Sequence, residues 1–243
     1  MVESFRDSPY YTVQKFIKNN HPDYEKSFDD SLSTNQYESK RWLCNVVDDL
    51  KITTPASIEK YTDDGSASDR FPHGNPDWKY PLLIEIVGSW FGWPLIELID
   101  RTVKGRITQI DLYDPDDVCQ KVTAQFKNIF EPKFKTIQYG NFFEREQLRR
   151  RHLIICTSCE HMQDFTNKSI FKGNPFVCLQ SNDYIDLPDH TNCVKNVEEL
   201  IEKNKLKKIW FKGEKDFGKY KRFMVLVNGD KTCGCLYMCW RQV

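Results

Sequence analysis

A thiol, a carboxylate and an imidazole stand side by side at Cys159, Glu160 and His161, just after the apolar run 152–156 in HLIICTSCEHM. The run is short and rich in β-branched residues, so it reads as a buried strand. Thr157 and the three side chains then fall at its carboxyl end, the edge where ligands bind in open parallel sheets. Histidine titrates near neutrality and an adjacent base can activate a thiol, so the cluster offers a general base or a nucleophile. The structural alternative is that Glu160 and His161 cap the next helix while Cys159 packs below.

A second cluster lies in LLIEIVGSWFGWPLIELI. A buried strand delivers Gly88, Ser89 and Gly92 into the turn before a helix, with Glu85 near the strand's end. Small residues there let the backbone approach a ligand, and the helix N-terminus offers free N–H groups. About twenty residues after Gly88 a further strand ends in DLYDP, which puts Asp111 and Asp114 where an acid commonly grips the two ribose hydroxyls of a nucleoside cofactor. The Gly-x-Gly-x-x-Gly pattern is absent, and Trp90 and Phe91 inside the turn do not suit a pyrophosphate. The expected cofactor is a nucleoside with a compact charged tail; the bland reading is a tight turn with ordinary packing glycines.

Positioning these residues requires a scaffold. Two helical runs open the chain, at 10–19 and 35–50. In the second, Trp42, Leu43, Val46, Val47 and Leu50 recur at helical spacing behind a Ser33/Gln36 capping box. The segment 62–79 is dense in Gly, Ser, Asp and Pro, and reads as a loop or lid. From Tyr80 short apolar runs alternate with amphipathic ones, the pattern of a mainly parallel sheet with helices on its faces. Strands are expected at 82–87, 107–112, 135–138, 152–156 and 176–180, and helices at 94–103, 116–130, 144–149 and 197–204. Two further strands, at 206–211 and 222–227, suit an antiparallel hairpin closing the sheet edge. The expected organisation is a helical N-terminal cap and loop over 1–79 and a Rossmann-like α/β domain over 80–243. A length of 243 residues accommodates one core with such an extension.

From roughly Tyr80 to Val227 the sequence resembles the class I S-adenosylmethionine-dependent methyltransferases, on EIVGSWFG, Asp111, YGNFF after the third strand, and the terminal hairpin. The middle glycine of that family's first motif is replaced by Trp90. The resemblance implies a three-layer sheet. It also implies a cofactor site in which Glu85, Gly88 and Gly92 surround the methionine moiety, Asp111 holds the ribose and Asn141 with Phe142 lies near the adenine. The TSCEH stretch looks like one found in phage and viral methyltransferase-like proteins. The Asp or Asn, two prolines and an aromatic that mark the amino-methylating branch are missing, which argues against nucleobase amino methylation.

The function expected is methyl transfer to a small or medium-sized acceptor lying between cap and sheet, with His161 or Glu160 taking the acceptor's proton. The alternatives are a lyase, cyclase or aminocarboxypropyl transferase using the same cofactor, and a non-catalytic binding module on the same scaffold. Gln180 to Tyr184 would face the cleft, with Asn182 and Tyr184 as candidate substrate contacts, or form a surface turn. Lys40 and Trp90 are further substrate candidates. For Lys40 and Arg41 the plainer reading is a solvated face, and for Trp42 a core anchor.

No metal is expected: Cys156 and Cys159 sit in or beside a buried strand, and CGCLYMCW, with Cys233, Cys235 and Cys239, alternates like another. Arg149, Arg150 and Arg151 read as a solvated face, as does KNKLKK. Lys plus Arg (35) balances Asp plus Glu (35), so net charge does not support nucleic-acid binding. No apolar stretch approaches the roughly 20 residues that cross a bilayer and no signal peptide is seen, so a cytoplasmic location with reduced thiols is expected.

Overall fold

Seven strands form one mixed sheet in the order β3-β2-β1-β4-β5-β7-β6. They are β1 (Leu82–Val87), β2 (Ile107–Tyr113), β3 (Lys135–Tyr139), β4 (Leu153–Cys156), β5 (Phe176–Asn182), β6 (Ile209–Asp216) and β7 (Lys221–Asn228). The helices are α1 (Pro9–Asn20), α2 (Glu25–Ser31), α3 (Thr34–Asp49), α4 (Leu95–Thr102), α5 (Asp117–Phe130) and α6 (Val197–Lys203). This computed structural model describes residues 9–49, 82–103, 107–130, 132–144, 151–165 and 175–228. The expected loop 62–79, the boundary at residue 79, nearly all of the helix at 144–149 and the cysteines after 228 lie outside the described residues.

Strands β1 to β5 run parallel, and β7 pairs antiparallel with both β5 and β6. The central strands β1 and β4 are apolar almost throughout because helices cover both faces, whereas β2 and the edge strand β3 carry polar residues. On one face Ile84, Ile86, Ile110, Leu112 and Met224 meet α3, α4 and α5; on the other Val87, Ile154, Val177, Leu179 and Val225 meet α6. The N-terminal helices belong to the first of these layers. Val13 and Ile17 of α1 and Leu43 and Val47 of α3 share its core. Aromatic rings fasten them: Tyr10 meets Phe126 edge-on at 5.5 Å, and Phe28 meets Phe126 at 5.8 Å, contacts worth about 0.5–1.5 kcal/mol each beyond their burial.

Ser33 caps α3 as expected, its Oγ accepting from the Gln36 backbone N–H at 3.4 Å, but the Gln36 side chain turns forward to accept from Lys40 Nζ at 2.6 Å. The hairpin is longer and its turn tighter than the apolar runs suggested. Strand β6 starts at Ile209 and continues through Lys212, Glu214 and Asp216, with the turn closed by Phe217 and Tyr220. An edge strand with one face in solvent carries polar residues at alternate positions, which hides it from a search for apolar runs.

Candidate functional site

The β1–α4 turn holds three residues in the left-handed region, Gly88 (φ 62), Trp90 (φ 51) and Gly92 (φ 75). Their reasons differ. A Cβ on Gly92 would lie 2.9 Å from Ile96 Cδ1 and 3.2 Å from Thr123 Cγ2, so this glycine serves the close approach of α4 and α5. A Cβ on Gly88 would meet Met162 Sδ at 3.0 Å. Trp90 has no such freedom and is held: its N–H donates to Asp114 Oδ2 at 2.7 Å and its indole N–H to Ser27 Oγ at 3.1 Å. Ser89 N–H donates to the Tyr113 carbonyl at 3.0 Å.

Asp114 is the carboxylate at the carboxyl end of β2. Its other oxygen accepts from Asp116 N–H at 3.0 Å, and burial pushes its pKa up against these two hydrogen bonds. Asp111 lies deeper. It pairs in register with Glu85, and both are buried with Arg151, whose Nε stands 3.0 Å from Glu85 Oε1 and whose Nη2 bonds Asp111. Gln109 Nε2 donates to Asp111 Oδ1 at 2.5 Å and Tyr113 OH to Glu85 Oε1 at 3.3 Å. Arg151 is therefore no solvated residue. Two carboxylates on adjacent strands repel one another in a low dielectric, and the guanidinium between them makes their burial tolerable. Asn141 caps the turn after β3, its Oδ1 accepting from Phe143 N–H at 3.0 Å, while Phe142 packs edge-on against Tyr113 at 5.1 Å.

The other end of the same edge is built from the loops after β4 and β5 and the start of β7. Glu160 is 2% exposed. Its Oε1 accepts from Asn182 Nδ2 at 2.6 Å and lies 3.3 Å from Arg222 Nη2, whereas Oε2 has no hydrogen-bond partner. Arg222, also buried, donates through Nη1 to the Thr157 carbonyl at 2.7 Å. Lys40 reaches the same cluster from α3 and is buried, contrary to the solvated face its sequence suggested. Burial, and then the nearby Arg222 charge, lower its pKa to about 7.

Loop-to-loop hydrogen bonds draw the histidines together. Asn192 N–H donates to the Glu160 carbonyl at 2.8 Å, and Asn192 Nδ2 to the Met162 carbonyl at 2.9 Å. His161 and His190 then meet edge to face with ring centroids 4.6 Å apart. Tyr184 lies 5.9 Å from His190 and stacks on Tyr220 at 5.7 Å.

Of the sequence candidates, Glu160, His161, Lys40 and Asn182 come together here. Cys159 does not join them: it is 3% exposed among Val87, Cys156 and Phe165, and burial raises its thiol pKa well above the ordinary value, so no thiolate is available. His190 and Arg222 were not foreseen. An imidazole in the polar loop after β5, and an arginine opening the apolar run RFMVLV, were the signals available.

No protein-family profile matches the sequence, and no curated protein sequence matches it. Magnesium protoporphyrin IX methyltransferase (ChlM) from Synechocystis PCC 6803 with bound S-adenosylmethionine matches the structure with a TM-score of 0.50 at 9% identity, over 94% of this chain and 100% of that one. The same enzyme with S-adenosylhomocysteine gives 0.50 at 10% identity, over 90% and 99%. The likeness is one of fold. The sheet order, the antiparallel β7 and the two helical layers are those of a Rossmann-like methyltransferase.

Proposed function

We propose that the chain is an S-adenosylmethionine-dependent methyltransferase acting on a small or medium-sized acceptor at the carboxyl ends of β4 and β5. The observation that carries this reading is Glu160 Oε2, a buried and unpartnered carboxylate oxygen on a methyltransferase fold, at the edge where such sheets bind ligands. The glycine turn and Asp114 fit the cofactor. The turn bends the backbone through left-handed residues beside a carboxylate that keeps lone pairs for two ribose hydroxyls. Asp114 replaces Asp111 in this role because Asp111 is committed to Arg151.

S-Adenosylmethionine would supply a methyl group already activated on a sulfonium. The protein's part is then orientation and proton removal. Asn182 and Arg222 fix Glu160 through one oxygen, leaving the other to take the acceptor's proton. Lys40, titrating near neutrality, and the His161 ring stand as further acceptors in the cluster. The TSCEH stretch would set the enzyme in the phage and viral branch of the fold.

A second reading is favoured by Met162. Its thioether covers Gly88 and lies 3.4 Å from Cys156 Sγ, as in a scaffold that retains the fold without the cofactor. Calorimetric titration with S-adenosylmethionine and S-adenosylhomocysteine, with NAD as control, separates the two. Micromolar binding that is lost in Asp114→Ala supports the enzyme, and no binding supports the scaffold.

A further inference from the structure

Glu160, His161 and His190 hold more than an acid–base site. A carboxylate oxygen of Glu160 and one ring nitrogen from each histidine all lie within 4.8 Å of one another. In both rings Nδ1 is committed: His161 Nδ1 lies 3.1 Å from the Asp189 carbonyl oxygen and 3.4 Å from its carboxylate, and His190 Nδ1 lies 2.6 Å from the Tyr184 carbonyl oxygen. A carbonyl oxygen only accepts, so each Nδ1 carries the proton and each neutral ring keeps its lone pair on Nε2. That is the arrangement in which ligating histidines are held, the distal N–H fixed by a carbonyl or carboxylate so that the other nitrogen meets the ion.

Glu160 completes the set. Asn182 and Arg222 occupy Oε1, while Oε2 is buried without a partner. An unpaired buried carboxylate oxygen is costly unless a cation or donor meets it.

We propose that Glu160, His161 and His190 bind a divalent first-row transition ion as a two-histidine, one-carboxylate site. Nitrogen and oxygen donors in this ratio suit Zn²⁺, Fe²⁺ or Co²⁺ and discriminate against Mg²⁺, which takes oxygen ligands. Bonds of about 2.1 Å place neighbouring ligand atoms roughly 3–3.5 Å apart, so the three close inward on the ion. His161 is the group free to move, with 37% of its side chain exposed. Cys193 stays out: its Sγ lies 3.4 Å from Asn182 Oδ1 and 3.7 Å from His190 Nδ1, the ring nitrogen turned away from the ion. The charges of Arg222 and Lys40 oppose the ion, and those of Glu160 and Asp189 favour it. Three protein ligands leave positions open for an oxygen donor of the acceptor. With the ion bound Glu160 is a ligand, and it is the ion, in place of the free carboxylate, that would make the acceptor's proton easier to remove. Only that last role rests on the methyl-transfer reading.

The test is titration of the apo-protein with Co²⁺ without cofactor, followed by visible absorption and calorimetry. Saturable binding of a single ion is expected, with ligand-field bands and no thiolate charge-transfer band. Affinity should fall at least about 100-fold in His161→Ala and in His190→Ala, whose folding circular dichroism verifies, and persist in Cys193→Ser and in His21→Ala, which lies outside the site. Zn²⁺ should displace Co²⁺, and a large excess of Mg²⁺ should not. Absence of binding, unchanged affinity in His190→Ala, or a thiolate charge-transfer band would each overturn the site. None of these outcomes bears on S-adenosylmethionine binding, which is measured separately.

Discussion

Under β1 and β2 the buried charges answer one another within the chain. Glu85, Asp111, Arg151, Gln109 and Tyr113 form a network in which each carboxylate has protein partners, and the Asp114 oxygens are met by two backbone N–H groups. At the ends of β4, β5 and β7 the balance is left open. Glu160 Oε2 has no hydrogen-bond partner, and Lys40 is buried beside a second cation. Both clusters are polar and enclosed, and both contain an arginine between acids or carbonyls. The difference is completeness: the first group is satisfied within the chain, and the second lacks the partner that the proposed ligand would supply. A buried polar atom left unpaired costs about 1–3 kcal/mol, a cost that persists where a ligand supplies the missing partner.

The largest effect should come from breaking the closed cluster. Arg151→Leu leaves Glu85 and Asp111 as adjacent buried carboxylates, and the loss of one partner of such an arrangement costs about 3–5 kcal/mol. Against a total stability of about 5–15 kcal/mol, urea unfolding should show a large fall in midpoint. A variant as stable as wild type would mean that the Arg151 cluster does not hold the sheet.

The open cluster should respond the other way. Glu160→Gln keeps the volume and an acceptor for Asn182 but removes the proposed base, so turnover of the folded protein should drop about 10²–10³-fold, as expected for loss of a general base. Buried Arg222 loses its carboxylate as well, but the Thr157 carbonyl still holds its Nη1, so the fall in unfolding midpoint should be smaller than for Arg151→Leu. The comparison fails if stability falls as far as activity does.

The contrast also explains what could be read from the chain. Strand β1 was expected at 82–87 and is found there because a parallel strand buried on both faces is a near-continuous apolar run, here interrupted only by Glu85. Glu160 and His161 were legible because they follow such a run directly. Arg151 was not: a triple arginine reads as surface, and its partners come from strands whose alignment exists only once β1, β2 and β4 lie side by side. The opposed pair Glu85 and Asp111 did carry a hint, since two acids at equivalent places on adjacent parallel strands require a cation. His190 joins the site through hydrogen bonds between two loops, and no periodicity in the sequence reports those.

Asp114 and Asp111 offer a sharper cut through the cofactor half. A charged hydrogen bond is worth about 1.5–3 kcal/mol, so Asp114→Ala should weaken S-adenosylmethionine binding by roughly 10- to 100-fold in calorimetry. Asp111→Asn should leave that affinity within a factor of a few and lower the unfolding midpoint instead. Equal losses of affinity in both would return Asp111 to the ribose.

Lys40 supplies the smallest effect and the one with a direction in pH. Burial, then Arg222, hold its folded-state pKa near 7 against an ordinary 10.5. Between those values the unfolded chain keeps the proton and the folded chain does not, so the unfolded state binds more protons and stability rises with pH. As pH falls from about 10 toward 7 the wild type should lose stability, and below the folded pKa the full penalty of a buried ammonium beside a guanidinium remains. Lys40→Met keeps the length and the packing without the charge. Its unfolding midpoint should therefore be flatter over that window and higher than wild type at pH 7, the two curves converging toward pH 10. If the wild-type midpoint is flat from pH 7 to 10 and Lys40→Met merely destabilises at every pH, the lysine is a solvated surface group after all and the open cluster loses one of its members.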